Sequence, residues 1–187
     1  SGWGSNSSEA CSSGLSSIAE ANLLIRSGKN RIMLAGGFED VFSGPFNDSP
    51  GHPEVPIGIF SALTATSERN DNPKHAMRPF AKGRDGFVMG SGGGVMVLES
   101  LESALERGAT IYATVLGAEK AMDGGSPTNI DSDRVAKLIL KTLKDKSGDG
   151  FYPVDAIFAH ATSTPQGDRD EIASFRKTFQ ELCLQFQ

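Results

Sequence analysis

Residues Glu9-Ala-Cys-Ser-Ser-Gly14 place a cysteine directly before a predicted helix. From Ser12 onwards apolar side chains recur at helical spacing, and Gly28 is a suitable residue to end the helix. A thiol at a helix N-terminus faces unpaired backbone N–H groups and the positive end of the helix dipole, which both favour the thiolate. Cys11 is therefore a candidate nucleophile. The alternative is that Cys11 is a small, buried apolar residue.

The segments that follow this helix alternate between strand and helix patterns. The first of them are predicted to be a buried strand at Arg31–Gly37, a proline-rich surface loop at Glu39–Pro56, a short helix at Ile57–Ala65 and a solvated, charged loop at Ser67–Phe87. Because an apolar strand follows closely on the helix, we expect α/β layering with a parallel or mixed sheet. The clustered glycines predict close approaches of the backbone at several turns.

The same alternation continues towards the C-terminal end. The predicted elements are a buried strand at Val95–Leu98, a short helix at Glu99–Arg107 ending before Gly108, a strand at Thr110–Gly117, an amphipathic helix at Asp131–Lys146 broken by Ser147–Gly150, and a strand at Val154–His160. A turn at Thr162–Pro165 precedes a last helix that reaches at least Glu181. In that helix Asp168 with Glu171 fits an N-cap and capping-box pattern.

The composition excludes several classes of partner and compartment. With 38% hydrophobic and 22% charged residues, the chain is typical of a soluble globular protein. A formal net charge of −5 argues against a surface for nucleic acid or anionic membranes. No apolar run approaches the length of a membrane span, and we expect no signal peptide at the start. Two cysteines, Cys11 and Cys183, indicate a reducing compartment rather than a disulfide framework.

Two common kinds of site are not supported by the spacing of the residues. The glycine-rich segment Gly90–Gly94 lacks the Gly-Lys-Ser/Thr of a phosphate-binding loop, and it precedes a strand instead of a helix. Tight entry into the strand explains it better. His52, His75 and His160 are scattered and have no nearby cysteine or histidine partner, so a metal site is not expected.

Cys11 and His160 remain as a candidate nucleophile and base. They are far apart in sequence, as the residues of cysteine-dependent acyl-transfer sites often are. His160 stands at the carboxyl end of a predicted strand, where ligands gather in open α/β sheets. The alternative is a structural histidine. Composition and spacing lead to a cysteine acyltransferase and no further.

Several motifs, in order and at familiar spacing, connect the chain to a known family. They are Ala10-Cys-Ser-Ser-Gly14, Leu34-Ala-Gly-Gly37, Ser67-Glu-Arg-Asn-Asp-Asn-Pro73, Arg78-Pro-Phe-Ala-Lys-Gly-Arg-Asp-Gly-Phe-Val-Met-Gly90 and His160-Ala-Thr-Ser-Thr-Pro-Gln-Gly-Asp168. Over nearly its whole length the chain resembles the β-ketoacyl-acyl carrier protein synthases, condensing enzymes of fatty-acid and polyketide assembly. The resemblance implies a thiolase-like, layered αβαβα fold of the α/β class that this chain covers only in part. Residues 1–117 would be the end of the amino-terminal ketosynthase half, and residues 118–187 the start of the carboxyl-terminal half.

The resemblance also implies roles for individual residues. Cys11 would carry the acyl group as a thioester, and His160 would assist decarboxylation of the malonyl extender and stabilise the resulting enolate. Asp168 and Glu171 would be supporting residues, for which a capping box is an equally good explanation. The implied substrate-binding residues are Phe60 at the acyl pocket, Phe87 beside the extender site, and Thr162 and Thr164 on the phosphopantetheine arm.

The chain departs from the family pattern in ways that bear on its activity. Ala161 stands where glycine is usual, Ser91 replaces an acidic residue, and the region at Ala121–Pro127 is shorter than expected. The parts of the family that precede the cysteine and that carry a second histidine lie outside the sequence, so the resemblance implies an internal piece. One histidine does not supply the full Cys-His-His arrangement, which puts independent activity in doubt.

The resemblance extends to partners and compartment. It implies acyl carrier protein as partner, a homodimer in the complete protein, no nucleic acid or membrane partner, no cofactor, and a cytoplasmic location, or a plastid one in a eukaryote. Two alternatives stay open. One is a non-catalytic, ketosynthase-like partner subunit, although such relatives usually lose the cysteine. The other is a thiolase or decarboxylase of the same fold, against which the Arg-Asp-Gly-Phe and Thr-Ser-Thr-Pro stretches favour the synthase.

Overall fold

The computed structural model describes residues 4–41, 55–122, 124–125, 130–144 and 150–185. They fall into two compact units. The first unit combines the described residues up to Asp40 with Ser91–Lys120, and the second combines those of Val41–Gly90 and Ala121–Gln187. The elements are α1 (Ser13–Arg26), β1 (Ile32–Glu39), α2 (Val55–Ala62), β2 (Gly92–Glu99), α3 (Leu101–Glu106), α4 (Ser132–Leu143) and α5 (Pro165–Gln185).

In the first unit α1 packs against β1. A single turn of 3₁₀ helix at Ala10–Ser12 leads into α1, which confirms the predicted helix. Gly28 follows its end with a φ of +73°, a left-handed conformation that glycine adopts without strain. Helix and strand approach closely where Gly14 faces Gly37, since a Cβ on Gly37 would lie 3.2 Å from the Cα of Gly14.

The two strands of this unit form an antiparallel pair. The register runs from Ile32 opposite Glu99 to Glu39 opposite Gly92. The backbone approaches closely at Gly36, within the strand pair and not at a turn as predicted, because a Cβ on this residue would lie only 2.8 Å from the Cα of Val95. Both strands extend beyond their predicted bounds of Arg31–Gly37 and Val95–Leu98 at one or both ends.

The prediction that both strands are buried is wrong for most of their residues. Ala35 is buried, but Leu34 is 70% exposed and Val95 is 71% exposed. The physical reason is that the sheet has two strands within the described part of the chain, and α1 packs on one of its faces. Alternate strand residues point to the opposite face and stay uncovered there.

The predicted strands at Thr110–Gly117 and Val154–His160 are also wrong. Neither segment forms a strand, and Tyr112 and Phe158 are almost completely exposed. A strand needs the backbone groups of a neighbouring strand, and among the described residues neither segment lies in such a ladder. The short helix between Glu99 and Arg107 is confirmed as α3, with Ser100 as its N-cap and Gly108 in a left-handed conformation after its end.

The helices of the second unit include α4 and α5, which pack against each other. Asp131 caps α4 by accepting hydrogen bonds from the amides of Asp133 and Arg134 at 3.0 and 3.2 Å. The predicted apolar face of α4 is half-buried and consists of Val135, Leu138, Ile139 and Leu143. The predicted break after this helix lies outside the described residues except for Gly150, and so do His52 and most of the proline-rich segment, residues 42–54.

The capping-box interpretation of the last helix is wrong. The helix α5 begins at Pro165, three residues before Asp168, and reaches Gln185. Thr164 precedes it and its Oγ1 accepts a hydrogen bond from the amide of Gly167 at 3.1 Å. A proline at the first helical position loses no hydrogen bond there and already has a helical φ, so the helix starts at Pro165. Asp168 and Glu171 are therefore free to bind other backbone groups.

The Ser67–Phe87 segment is more ordered than a solvated loop. The predicted short helix at Ile57–Ala65 before it is confirmed as α2, shifted to Val55–Ala62. Within the segment Pro73–His75 form one turn of 3₁₀ helix, Ala76 is buried, and Phe87 pairs with Thr66 in a parallel bridge. Throughout the described ranges, no helix combines the length and the apolar character that crossing a membrane requires.

Candidate functional site

Cys11 lies in the first unit, in the 3₁₀ turn that leads into α1, and its side chain is exposed. The alternative of a buried, apolar cysteine is therefore wrong. The preceding residue, Ala10, has a φ of +51°, which places the cysteine on a sharp turn. The turn is closed by hydrogen bonds from the amide and hydroxyl groups of Ser12 to the carbonyl of Glu9, at 3.2 and 2.8 Å.

The carboxylate of Glu9 holds this turn through hydrogen bonds to side chains of three other residues. It accepts hydrogen bonds from the hydroxyl groups of Ser7 and Ser16, and Nζ of Lys120 donates to it at 2.6 Å. The Lys120 ammonium group, followed by the Ser16 hydroxyl, lowers the pKa of Glu9 from 4.5 to about 2. Glu9 is absent from the predicted site residues, because no sequence signal connects it with a lysine 111 residues away.

In the second unit Glu171 holds the backbone around His160. Its carboxylate accepts a hydrogen bond from the amide of His160 at 2.6 Å and from the amide of Ala161 at 2.9 Å. Ala161 has a φ of +51°. The His160 side chain itself is exposed. Glu171 thus positions the backbone of His160, and both of these hydrogen bonds involve backbone amides and not the imidazole ring.

Thr162 and Thr164 present their hydroxyl groups side by side, with the two Oγ1 atoms 3.0 Å apart. Gly167 leaves the space for this pair, because a Cβ on that residue would lie 2.6 Å from Oγ1 of Thr164 and 2.8 Å from Oγ1 of Thr162. Ser163 between them is completely buried, and its Oγ accepts a hydrogen bond from the amide of Arg78 at 3.0 Å. The threonine pair is therefore held on a fixed backbone.

Asp168 is the buried centre of this region, with 1% of its surface exposed. Its carboxylate accepts hydrogen bonds from the amides of Ser163 at 2.9 Å and Phe80 at 2.6 Å. Nε of Arg84 lies 2.9 Å from Oδ2 and compensates the buried charge. Asp168 is among the predicted site residues, whereas Arg84 and Ser163 are not, although both lie inside the motifs that resemble the family.

Phe60 and Phe87, the two predicted pocket residues, are neighbours in the second unit. Their rings pack edge to face with centroids 5.4 Å apart. The backbone of Phe87 is fixed on both sides, since its amide donates to the carbonyl of Ala65 at 3.0 Å and its carbonyl accepts from the amide of Ser67 at 2.9 Å. The structure thus brings an aromatic pair together from two segments that are far apart in sequence.

The predicted site residues are divided between the two units. Cys11 belongs to the first, and the second holds His160, Phe60, Phe87, Thr162, Thr164, Asp168 and Glu171. Within the second unit the structure joins His160, the threonine pair, Asp168 and Glu171 in one hydrogen-bonded region. The described residues contain no group of three or more histidine, cysteine, aspartate or glutamate side chains that could hold a metal ion.

Two family models match the chain. The model for the N-terminal domain of beta-ketoacyl synthase matches residues 7–104, and that for the C-terminal domain matches residues 112–184. The predicted join of the two halves near Gly117 stays a prediction. The compact units do not follow this division, because the second unit takes in residues from both matched segments.

Three similar proteins extend this finding. The 3-oxoacyl-[acyl-carrier-protein] synthase 2 of Coxiella burnetii is 40% identical over 91% of this chain and 39% of its own length. The chloroplastic 3-oxoacyl-[acyl-carrier-protein] synthase I of Arabidopsis thaliana is 43% identical over 83% of this chain and 31% of its own. The solved structure of AntDE:AntF, a type II PKS acyl-carrier protein in complex with its ketosynthase bound to the hexaketide, matches with a TM-score of 0.83. It is 36% identical and covers 95% of this chain and 41% of that one.

These matches confirm the expected fold class. The chain is part of a thiolase-like α/β fold, and it spans only 39% of the Coxiella relative. The family models cover both the Cys11 motif and the His160 motif in the expected order. The chain belongs to the beta-ketoacyl synthase family.

Proposed function

We propose that the complete protein is a condensing enzyme of fatty-acid or polyketide biosynthesis. It would join an acyl thioester to a malonyl-carrier thioester with loss of carbon dioxide. The observation that carries this proposal is an exposed Cys11 on a sharp turn at the start of α1, in a chain of this family. Relatives named as 3-oxoacyl-[acyl-carrier-protein] synthases and as a polyketide synthase ketoacyl synthase subunit both support it.

The first half-reaction is acyl transfer to Cys11. Its thiolate attacks the carbonyl carbon of an acyl thioester, a new carbon–sulfur bond forms, the carbon–sulfur bond to the phosphopantetheine arm breaks, and the arm leaves as a thiolate. Negative charge develops on the carbonyl oxygen during the attack. The backbone N–H of Cys11 would donate to that oxygen, and such an aimed donor typically lowers the barrier by about 3–4 kcal/mol.

The second half-reaction forms the new carbon–carbon bond. The malonyl thioester loses carbon dioxide, and the electrons of the broken bond pass into an enolate that a ring N–H of His160 would stabilise. The enolate carbon attacks the acyl-cysteine carbonyl, and Cys11 leaves as the thiolate. The 3-oxoacyl product remains on the carrier.

The remaining residues would bind the substrates. Thr162 and Thr164 would donate hydrogen bonds to the phosphopantetheine arm, for which their adjacent hydroxyl groups are suited. Phe60 would line the acyl pocket and Phe87 would border the extender site, and their edge-to-face contact supports neighbouring positions for the two substrates. Asp168 and Glu171 would support this site through the backbone groups that they hold.

The proposal includes partners and surroundings. Acyl carrier protein would deliver the substrates, as supported by the relative that was solved with its carrier protein. The complete protein would be a homodimer. Because thiolate and histidine provide the activation, the reaction would need no metal or nucleotide cofactor. A reducing compartment that keeps Cys11 as a thiol suits this chemistry, either the cytoplasm or a plastid.

Acylation of Cys11 tests the proposal directly. The full-length protein is incubated with a labelled acyl thioester and digested, and the labelled peptide is identified by mass spectrometry. We expect label on Cys11, no label in Cys11→Ala, and full labelling in Cys183→Ala, which removes the other exposed cysteine. Condensation by Cys11→Ala would contradict the proposal.

The same preparation separates the alternatives. Carrier-protein binding without thioester formation would indicate a non-catalytic partner subunit. Release of carbon dioxide without a 3-oxoacyl product would indicate a decarboxylase, and condensation of two acyl thioesters without loss of carbon dioxide would indicate a thiolase.

A further inference from the structure

We propose that Arg84 is a positioning residue for the phosphopantetheine arm. Its guanidinium group fixes the backbone of Thr162–Thr164, so that the two threonine hydroxyl groups face the arm in a single arrangement. The inference rests on the proposed function, which gives the two threonines their role.

The guanidinium group of Arg84 binds the end of the threonine segment and the first turn of α5. Nε lies 2.9 Å from Oδ2 of Asp168 and donates to the carbonyl of Thr164 at 3.2 Å. Nη2 donates to the carbonyl of Pro165 at 2.8 Å. Nη1 donates to the carbonyl of Ala81 at 3.2 Å, within the segment that carries Arg84 itself. All three nitrogens are therefore used, and the side chain is only 19% exposed.

The partner of Arg84 determines the backbone conformation of the segment. Asp168 binds the amides of Ser163 and Phe80, and both of these residues have a φ of +63°. This conformation costs about 1–2 kcal/mol for each residue that has a side chain. A buried carboxylate that lost its cation would bind these amides with its own charge uncompensated. Arg84 thus maintains Asp168 as the group that holds Ser163 in place.

Arg84 also connects the threonines with the aromatic pair. It lies three residues before Phe87, whose ring packs on Phe60. The intervening Gly86 has a φ of +147°, and a Cβ on it would lie 2.5 Å from the carbonyl of Ala65, so this short link has little freedom. A displacement of Arg84 would move the threonine hydroxyl groups relative to the aromatic pocket.

Lysine cannot replace arginine at such a position. A guanidinium group is a flat fork that directs donors to several acceptors at once, whereas an ammonium group acts as a point charge on a flexible stem. Arg84→Lys keeps a cation for Asp168 but loses the paired bonds to Thr164 and Pro165. A loss of function in this variant would therefore come from the lost positioning of the threonine segment, because the charge of Asp168 is still compensated.

The test measures steady-state condensation by the full-length protein. We expect Arg84→Lys and Arg84→Gln to raise the KM for the malonyl-carrier substrate about tenfold while kcat changes much less, because the lost contacts act on the arm equally in the ground and transition states. Arg107→Gln is the matched control, since Arg107 also pairs with a carboxylate, that of Glu99 at 2.7 Å, but lies in the first unit, whereas the threonine segment belongs to the second. We expect its KM to equal that of the unaltered protein.

A binding measurement gives a second readout that needs no turnover. The dissociation constant for an unreactive thioether of phosphopantetheine is measured by calorimetry, and we expect about tenfold weaker binding to Arg84→Lys than to Arg107→Gln. Unchanged KM and binding in Arg84→Lys, or equal losses in Arg107→Gln, would overturn the inference. An unaltered protein that neither condenses nor binds the thioether would instead contradict the proposed function.

Discussion

Ala161 shows how a single residue can oppose the conformation that its neighbours impose. The resemblance to the family implies that glycine is usual here, and Ala161 has a φ of +51°, a conformation that suits glycine. Glycine adopts this region freely, whereas a Cβ makes it unfavourable. The hydrogen bond from the Ala161 amide to Glu171 at 2.9 Å nevertheless keeps the backbone in place.

We therefore expect Ala161→Gly to stabilise the protein. Removal of the Cβ relieves about 1–2 kcal/mol of strain, part of which is offset by the greater freedom of glycine in the unfolded chain. The net gain should be roughly 0.5–1 kcal/mol, measured by urea denaturation. The matched control is Ala173→Gly within α5, where glycine should cost about 1 kcal/mol. Destabilisation by both variants would show that Ala161 is not strained.

At the scale of elements, the helices could be predicted from the sequence and the strands could be predicted only in part. Helices such as α1 and α4 form hydrogen bonds within one segment, so apolar spacing and end signals locate them. A strand takes its hydrogen bonds from another segment. The pattern at Thr110–Gly117 is typical of a strand, yet no described neighbour pairs with it. Local pattern alone does not reveal whether that neighbour exists.

The start of α5 illustrates a second limit of prediction from sequence. Asp168 and Glu171 have capping-box spacing, but their carboxylates bind the amides of Ser163 and His160 on a preceding segment. The motif could predict that both carboxylates belong to the site. Their hydrogen-bond partners could not be predicted, because these depend on the tertiary path of the chain between His160 and α5. For the same reason Arg84 was missed, because its acceptor on Thr164 lies 80 residues further along the chain.

The turn before α1 should respond to pH through Glu9. Its lowered pKa of about 2, against 4.5 for the free group, means that the ionised form is stabilised by folding. This stabilisation is complete above about pH 4.5 and is lost as the pH falls towards 2. We expect the melting temperature of Glu9→Gln to lie below that of the unaltered protein at pH 7, and the difference to shrink below pH 4.5.

The ion pair with Lys120 provides the control for this pH dependence. Lys120→Met removes the main cause of the lowered pKa of Glu9. In a protein that carries Lys120→Met, the loss of melting temperature caused by Glu9→Gln at pH 7 should therefore be smaller. If the melting temperatures of Glu9→Gln and the unaltered protein differed by the same amount from pH 7 to pH 3, the stabilisation would not come from the ionised carboxylate of Glu9. A contribution that does not depend on charge stays the same at every pH.

At the scale of the whole chain, the exposed face of the two-stranded sheet stands out. Residues opposite each other in the antiparallel register point to the same side. The face away from α1 carries Ile32, Leu34, Phe38, Val95 and Val97, and each of these residues is exposed, with Phe38 at 91%. In a chain that spans 39% of a relative's length, such a face is an apolar patch without a cover from the described residues.

We therefore expect the 187-residue chain, when produced by itself, to self-associate through this face. Phe38→Lys and Val97→Lys place charges on the face and should shift the chain towards monomer in sedimentation velocity, with weaker binding of a dye that reports exposed apolar surface. Leu105→Lys is the matched control, because Leu105 is also exposed but lies on α3, outside the sheet. If Leu105→Lys reduced association as strongly as Phe38→Lys, the association would depend on general charge and not on the sheet face.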